Sequence, residues 1–69
     1  MEAMIWTYSE HQDASIAAAG AYRCRVYRER SGTWTAIVIY REAATEQAGF
    51  PSAERAMAWC EDYVRQASA

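Results

Sequence analysis

Apolar side chains along this chain recur first with a period of two and then with a helical period. Met4, Trp6 and Tyr8 alternate with Ile5 and Thr7, which predicts a short strand over 4–8. Residues 9–20 are polar at first, then alanine-rich, and close on Gly20. They read as a loop, or as a short helical turn capped by Asp13. Tyr22, Cys24 and Val26 then alternate with Arg23, Arg25 and Tyr27, so a strand over 22–30 turns its apolar trio inward and its arginines outward. Ser31-Gly32 supplies the turn. A second strand over 33–41 puts Trp34, Ala36, Val38 and Tyr40 on one face and Thr33, Thr35, Ile37 and Ile39 on the other. A third strand of the meander is expected over 43–50, with Ala44, Glu46, Ala48 and Phe50 sharing a face.

Phe50-Pro51-Ser52 ends the extended run and opens a helix over 52–67. Ser52 is a good N-cap, and Glu54 in the first turn complements the helix dipole. Ala53, Ala56, Met57, Cys60, Tyr63, Val64 and Ala67 form one apolar stripe, with Glu54, Arg55, Glu61, Asp62 and Arg65 opposite. The pattern therefore predicts a single α+β domain: a small antiparallel sheet of three or four strands with one C-terminal helix packed on one face. Its expected core is Cys24, Val26, Trp34, Val38, Phe50, Met57, Cys60 and Val64.

Composition narrows this picture. The 69 residues include 15 alanines and no leucine, lysine or asparagine, so the 52% apolar fraction overstates the core. The length leaves room for one small domain and excludes doubly wound or barrel enzymes. No apolar run approaches the ~20 residues of a membrane span. The first residues hold neither a basic region nor a continuous apolar stretch, so a cytoplasmic protein is expected. Cys24 and Cys60 lack the number and spacing of a disulfide framework, and both fall at core-facing positions. They read as two buried thiols.

Charge is unevenly placed. Between Tyr22 and Arg41 stand Arg23, Arg25, Arg28, Arg30 and Arg41 against Glu29 alone, while the net charge of the whole chain is −2. Such a basic segment on an acidic body would meet an anionic partner through one face. Guanidinium groups on a β-ribbon can dock phosphates and reach guanine edges. Arg23 and Arg25 are the expected contacts, Tyr27 can stack beside them, and Arg28, Arg30 and Arg41 steer. Ile37 and Ile39 on the same outward face call for cover, either by the Met4–Tyr8 strand and the alanine-rich segment or by a second copy of the chain. A homodimer through Ile37 and Ile39 is accordingly expected, and an interaction module without a nucleic-acid role is the competing reading.

Enzymatic groups are not assembled by the pattern. Ser9, His11 and Asp13 are the residue types of a hydrolase triad, but triads converge from separate elements around an oxyanion hole. Glu10, His11 and Asp13 offer too few ligands for a closed metal site. Gly20, Gly32 and Gly49 stand alone, so no phosphate-cradling loop is present. A non-enzymatic module without cofactor, metal or small-molecule substrate is expected.

Tyr22-Arg-Cys-Arg-Val, Gly32-Thr-Trp-Thr-Ala-Ile-Val and Gly49-Phe-Pro-Ser-Ala-Glu-Arg-Ala-Met-Ala-Trp together resemble the three-strand-plus-helix DNA-binding domains. These are the Arm-type domains of phage tyrosine integrases and the plant ethylene-response domains. The resemblance covers roughly residues 22–64 and implies a sheet that enters the major groove. Carried over by position, Arg23 and Arg25 would make the contacts, with Thr35 beside them. Ile37 and Ile39 stand where those families carry polar groups, and Thr45 and Gln47 replace their third-strand contacts. The order of elements also resembles HicB-type antitoxins, which implies dimerisation.

Overall fold

The computed structural model describes residues 4–68 and has an α+β architecture. Strands β1 (Thr7–Ser9), β2 (Ala14–Ala19), β3 (Tyr22–Arg28), β4 (Trp34–Tyr40) and β5 (Ala43–Phe50) form one antiparallel sheet in chain order, and helix α1 (Ala53–Ala67) follows. α1 packs on β3, β4 and β5 from one side.

The sheet thus has five strands where three or four were expected. The additional strand is β2, in the segment that reads as a loop or helical turn. Alanine lies on both of its faces, so the alternation that betrays a strand is missing, and alanine has little strand propensity of its own. Pairing with β3 decides the matter, with Ala17 opposite Cys24 and Ile16 opposite Arg25. β1 begins at Thr7 rather than at residue 4, and pairs Thr7 with Ile16.

Tight turns fix the register. Gly20-Ala21 joins Ala19 to Tyr22, and Gly20 adopts φ +59°, the left-handed conformation that a two-residue hairpin loop needs. Between β3 and β4, Gly32 N–H donates to the Glu29 carbonyl (3.0 Å) and Glu29 N–H donates to the Thr33 carbonyl (2.7 Å). That turn ends β3 at Arg28, short of the expected boundary at Arg30. Arg41-Glu42 closes the last hairpin, with Arg41 itself at φ +58°.

β5 contains the other departure. Gln47 pairs with Ala36 and Phe50 pairs with Trp34, so one extra residue is inserted opposite β4. Gly49 absorbs the bulge at φ +88°. The insertion reverses the alternation: Ala44 and Glu46 face away from the helix, whereas Phe50 turns toward it. The expected common face of Ala44, Glu46 and Phe50 is therefore broken by one glycine.

Ser52 caps α1 as expected, its hydroxyl accepting from Arg55 N–H at 3.2 Å. The enclosed layer between helix and sheet holds Cys24, Val26, Ala36, Val38, Ala56, Cys60 and Val64. Trp34, Phe50 and Met57, expected in the core, are only partly buried and pack around this layer together with Trp6, Trp59 and Tyr63. Two hydrogen bonds tie the helix to opposite margins of the fold. Trp6 Nε1 donates to Glu61 (2.9 Å) on one side, and Thr45 pairs with the Tyr63 hydroxyl (3.1 Å) on the other.

Two of the left-handed positions, Gly49 in the bulge and Arg41 in the turn, respond to substitution with opposite sign. Nothing lies within 4 Å of a methyl built on Gly49, so Gly49→Ala costs only the backbone strain, about 1 kcal/mol. Arg41→Gly relieves the same strain and is expected to stabilise by up to ~1 kcal/mol. Urea denaturation followed by tryptophan fluorescence reads both.

Candidate binding face

The register sorts the outward residues into rows. One row runs Thr7, Ile16, Arg25, Ile37, Glu46 across the five strands, and the next runs Ala18, Arg23, Ile39, Ala44. The alanine-rich segment has entered the sheet instead of folding over it, so Arg23 and Ile39 of these rows stay exposed, while Ala14 and Thr35 near the other end of the same face are buried. Ile39 is 36% exposed and Ile5 83%, while Ile16 and Ile37 are half-buried among their neighbours. A shallow groove of about 810 Å³ lies over β2 and β3, walled by Ile5, Ile16, Arg23, Arg25 and Ile39.

Aromatic and acidic neighbours set the posture of the arginines. The Arg25 guanidinium stands 5.3 Å from the centre of the Tyr27 ring, a cation–π distance. The Tyr27 hydroxyl reaches Glu46 at 3.5 Å across β4. Burial, then the carboxylates of Glu29 and Glu46, raises the Tyr27 phenol above its ordinary value, so it stays a neutral donor. Arg23, Arg25 and Tyr27 therefore share one surface, as expected.

The remaining residues expected at a nucleic-acid interface are dispersed. Thr35 is 1% exposed, and its hydroxyl donates to Glu29 at 3.1 Å. It supports the β3–β4 turn from beneath the surface and is not available for contact. Arg28 pairs with Trp34 and so belongs to the helix-facing register, folded near Gly32. Arg30 sits in the β3–β4 turn, at the far end of the sheet from Arg41. Arg41 stacks 5.1 Å from the Tyr40 ring and borders a small depression with Arg23 and Ile39. Ile37 and Ile39, expected in an oligomer interface, lie together in the middle of the open face. Ile16 joins them, and Glu46 adds the one carboxylate of these rows. Linear alternation points to neither, because Ile16 needs β2 to be a strand and Glu46 needs the hairpin register that sets it opposite Ile37.

The polar β1–β2 turn is held by hydrogen bonds of its own side chains. Asp13 accepts a hydrogen bond from the Tyr8 hydroxyl, and Ser9 Oγ accepts from Gln12 N–H at 3.3 Å. The bond to Asp13 is the main cause of the raised Tyr8 pKa. Among the described residues no three His, Cys, Asp or Glu side chains gather at metal-binding distance, and no helix is long and apolar enough to cross a membrane.

Cys24 on β3 and Cys60 on α1 are free thiols buried against each other in the core. The hydrogen bond with Cys24, and after it burial, pushes the Cys60 thiol well above its ordinary value of 9.0. Comparison of the chain with protein-family models, curated proteins and solved structures finds no match.

The thiol pair has a measurable consequence. The folded state keeps the Cys60 proton while the unfolded state loses it above pH ~9, so this contribution is present below that pH and lost as pH rises. Stability should fall as pH rises above about 9, with a slope approaching about 1.4 kcal/mol per unit. Because burial alone would raise the Cys24 thiol once its partner is gone, Cys24→Ala with Cys60→Ala is the variant that should flatten that slope in denaturant titrations. Native parent protein should resist a thiol reagent that labels both cysteines after unfolding.

Proposed function

We propose that this protein is a non-enzymatic interaction module whose working surface is the open face of its sheet. The carrying observation is the alternation of isoleucine and arginine along the rows of that face: Ile16, Arg25, Ile37 and then Arg23, Ile39. Arginine and large apolar groups in close alternation suit a surface that becomes covered by protein. The guanidinium is weakly hydrated and can pack flat on a neighbour, as Arg25 does on Tyr27.

Nucleic-acid binding is the competing reading for the same face. Against it stand the two isoleucines between the arginine positions and Glu46. The dispersal of Arg28, Arg30 and Arg41 leaves few guanidinium groups to meet one phosphate backbone. The three-strand-plus-helix and HicB-type resemblances point, respectively, to DNA contact and to dimerisation. The open isoleucines favour the association that the second implies.

Duplex and single-stranded DNA titrations at low salt separate the readings, since phosphate contacts are strongest there. No saturable binding beyond a weak association is expected. Saturable binding that Arg23→Glu with Arg25→Glu abolishes, and that Ile37→Thr with Ile39→Thr spares, would overturn the protein-interaction reading. The isoleucine pair variant should also stay within ~0.5 kcal/mol of the parent in submicromolar unfolding, as for surface positions. A loss of ~2 kcal/mol or more would instead place these side chains in the monomer's own core.

A further inference from the structure

We infer that the occupant of the open face is a second copy of this chain, docked about a two-fold axis that runs along β4. This rests on the reading of that face as an interaction surface and adds the partner and its orientation.

Charge selects the axis. Ile37 on β4 is flanked by Arg25 on β3 and Glu46 on β5, and Ile39 is flanked by Arg23 and Ala44. A half-turn about β4 lays the β3 of one copy over the β5 of the other. Arg25 of each chain then meets Glu46 of its copy, twice per dimer, while Ile37 and Ile39 stack on their own equivalents. Two other two-fold arrangements are worse. An axis along β3 stacks Arg23 and Arg25 on themselves, and an axis crossing the strands between the two rows sets Arg23 against Arg25. Like charges brought together on a covered face oppose association strongly.

Shape agrees with charge. Ala43 to Gly49 of β5 are exposed throughout, and three of the seven are alanine and one is glycine. This slim strand, carrying Glu46, is the part of the copy that descends toward the groove over β2 and β3, where Arg23 and Arg25 form the wall. Two sheet faces packed with nearly aligned strands keep their backbones ~10 Å apart, within reach of an arginine and a glutamate from opposite sides. Three overlapping strands of about seven residues span roughly 15 Å by 20 Å. An interface of that size forms a weak, concentration-dependent dimer.

Sedimentation velocity over a wide concentration range tests the inference. The parent should pass from monomer to dimer, and Arg25→Glu or Glu46→Arg alone should weaken the dimer at least ~10-fold. An equimolar mixture of the two variants should recover dimerisation. In that mixed dimer the carboxylate introduced at position 25 of one chain faces the guanidinium introduced at position 46 of the other, and the native pair forms at the second contact. Placing both changes in one chain should restore its homodimer. A parent that stays monomeric at the highest concentration overturns self-association while leaving the open face free for a different protein. A dimer that ignores the charge reversals but is lost in Ile37→Thr with Ile39→Thr overturns the axis along β4. A dimer indifferent to both sets, as pairing of two β5 edges would give, overturns the inference and the reading of the face together.

Discussion

Everything in this fold follows from how one helix can cover a five-stranded sheet. A helix with its side chains is about 10 Å across, and five strands at ~4.8 Å spacing span roughly 19 Å. α1 therefore seats on β3, β4 and β5 and leaves the β1–β2 side to the Trp6 segment. The seat itself is made of small groups. Ala36 and Ala56 are fully enclosed together with Val26, Val38 and Cys60, which lets helix and sheet approach closely. Larger rings stand around this layer, where their polar atoms reach partners, as the Trp6 indole does at Glu61. The abundance of alanine is thus a condition of the close approach, and its consequence is a core with little volume.

That constraint also explains which parts of the fold are legible in the amino-acid pattern. The β3–β4 hairpin and α1 are legible because large apolar residues alternate with arginines in the first and follow a helical stripe behind Ser52 in the second. β2 is not, since alanine at Ala14, Ala17, Ala18 and Ala19 erases the contrast between faces. Its place in the sheet is decided by pairing with β3 through the Gly20 turn, which is tertiary information. The β5 bulge is likewise a backbone event at Gly49, and it turns Phe50 inward although Glu46, paired with Ile37, points outward.

The same distinction applies to the binding face. Arg23, Arg25, Tyr27, Ile37 and Ile39 are legible as outward residues from strand parity alone. Thr35 shares their parity yet is buried, because Glu29 in the adjacent turn takes its hydroxyl. Parity tells which side of the sheet a residue occupies and says nothing about what lies over it. Arg28, Arg30 and Arg41 look like one cluster with Arg23 and Arg25 in the linear order, yet the hairpin sends them to its other face and to opposite ends. A count of arginines in a basic segment therefore overstates the charge that any flat partner can meet at once.

A sheet with one covered face is half of a sandwich, and its open face carries a solvation cost that grows with each isoleucine on it. The composition of that face argues that the cost is not accidental. Polar β-branched threonine would serve strand formation as well as Ile37 and Ile39 do, and it already occupies Thr7 and Thr35. Isoleucine gains its advantage only when the face is covered. In the proposed dimer the layers become helix, sheet, sheet and helix, and the burial that the thin intramolecular core lacks is supplied by association, which adds to folding stability by mass action. The Arg25–Glu46 pairs then contribute orientation more than affinity, since charged contacts at the border of an apolar patch mainly select the partner and its register. The lopsided core and the uncovered isoleucines are then two sides of one design, in which a small chain completes its fold by meeting itself.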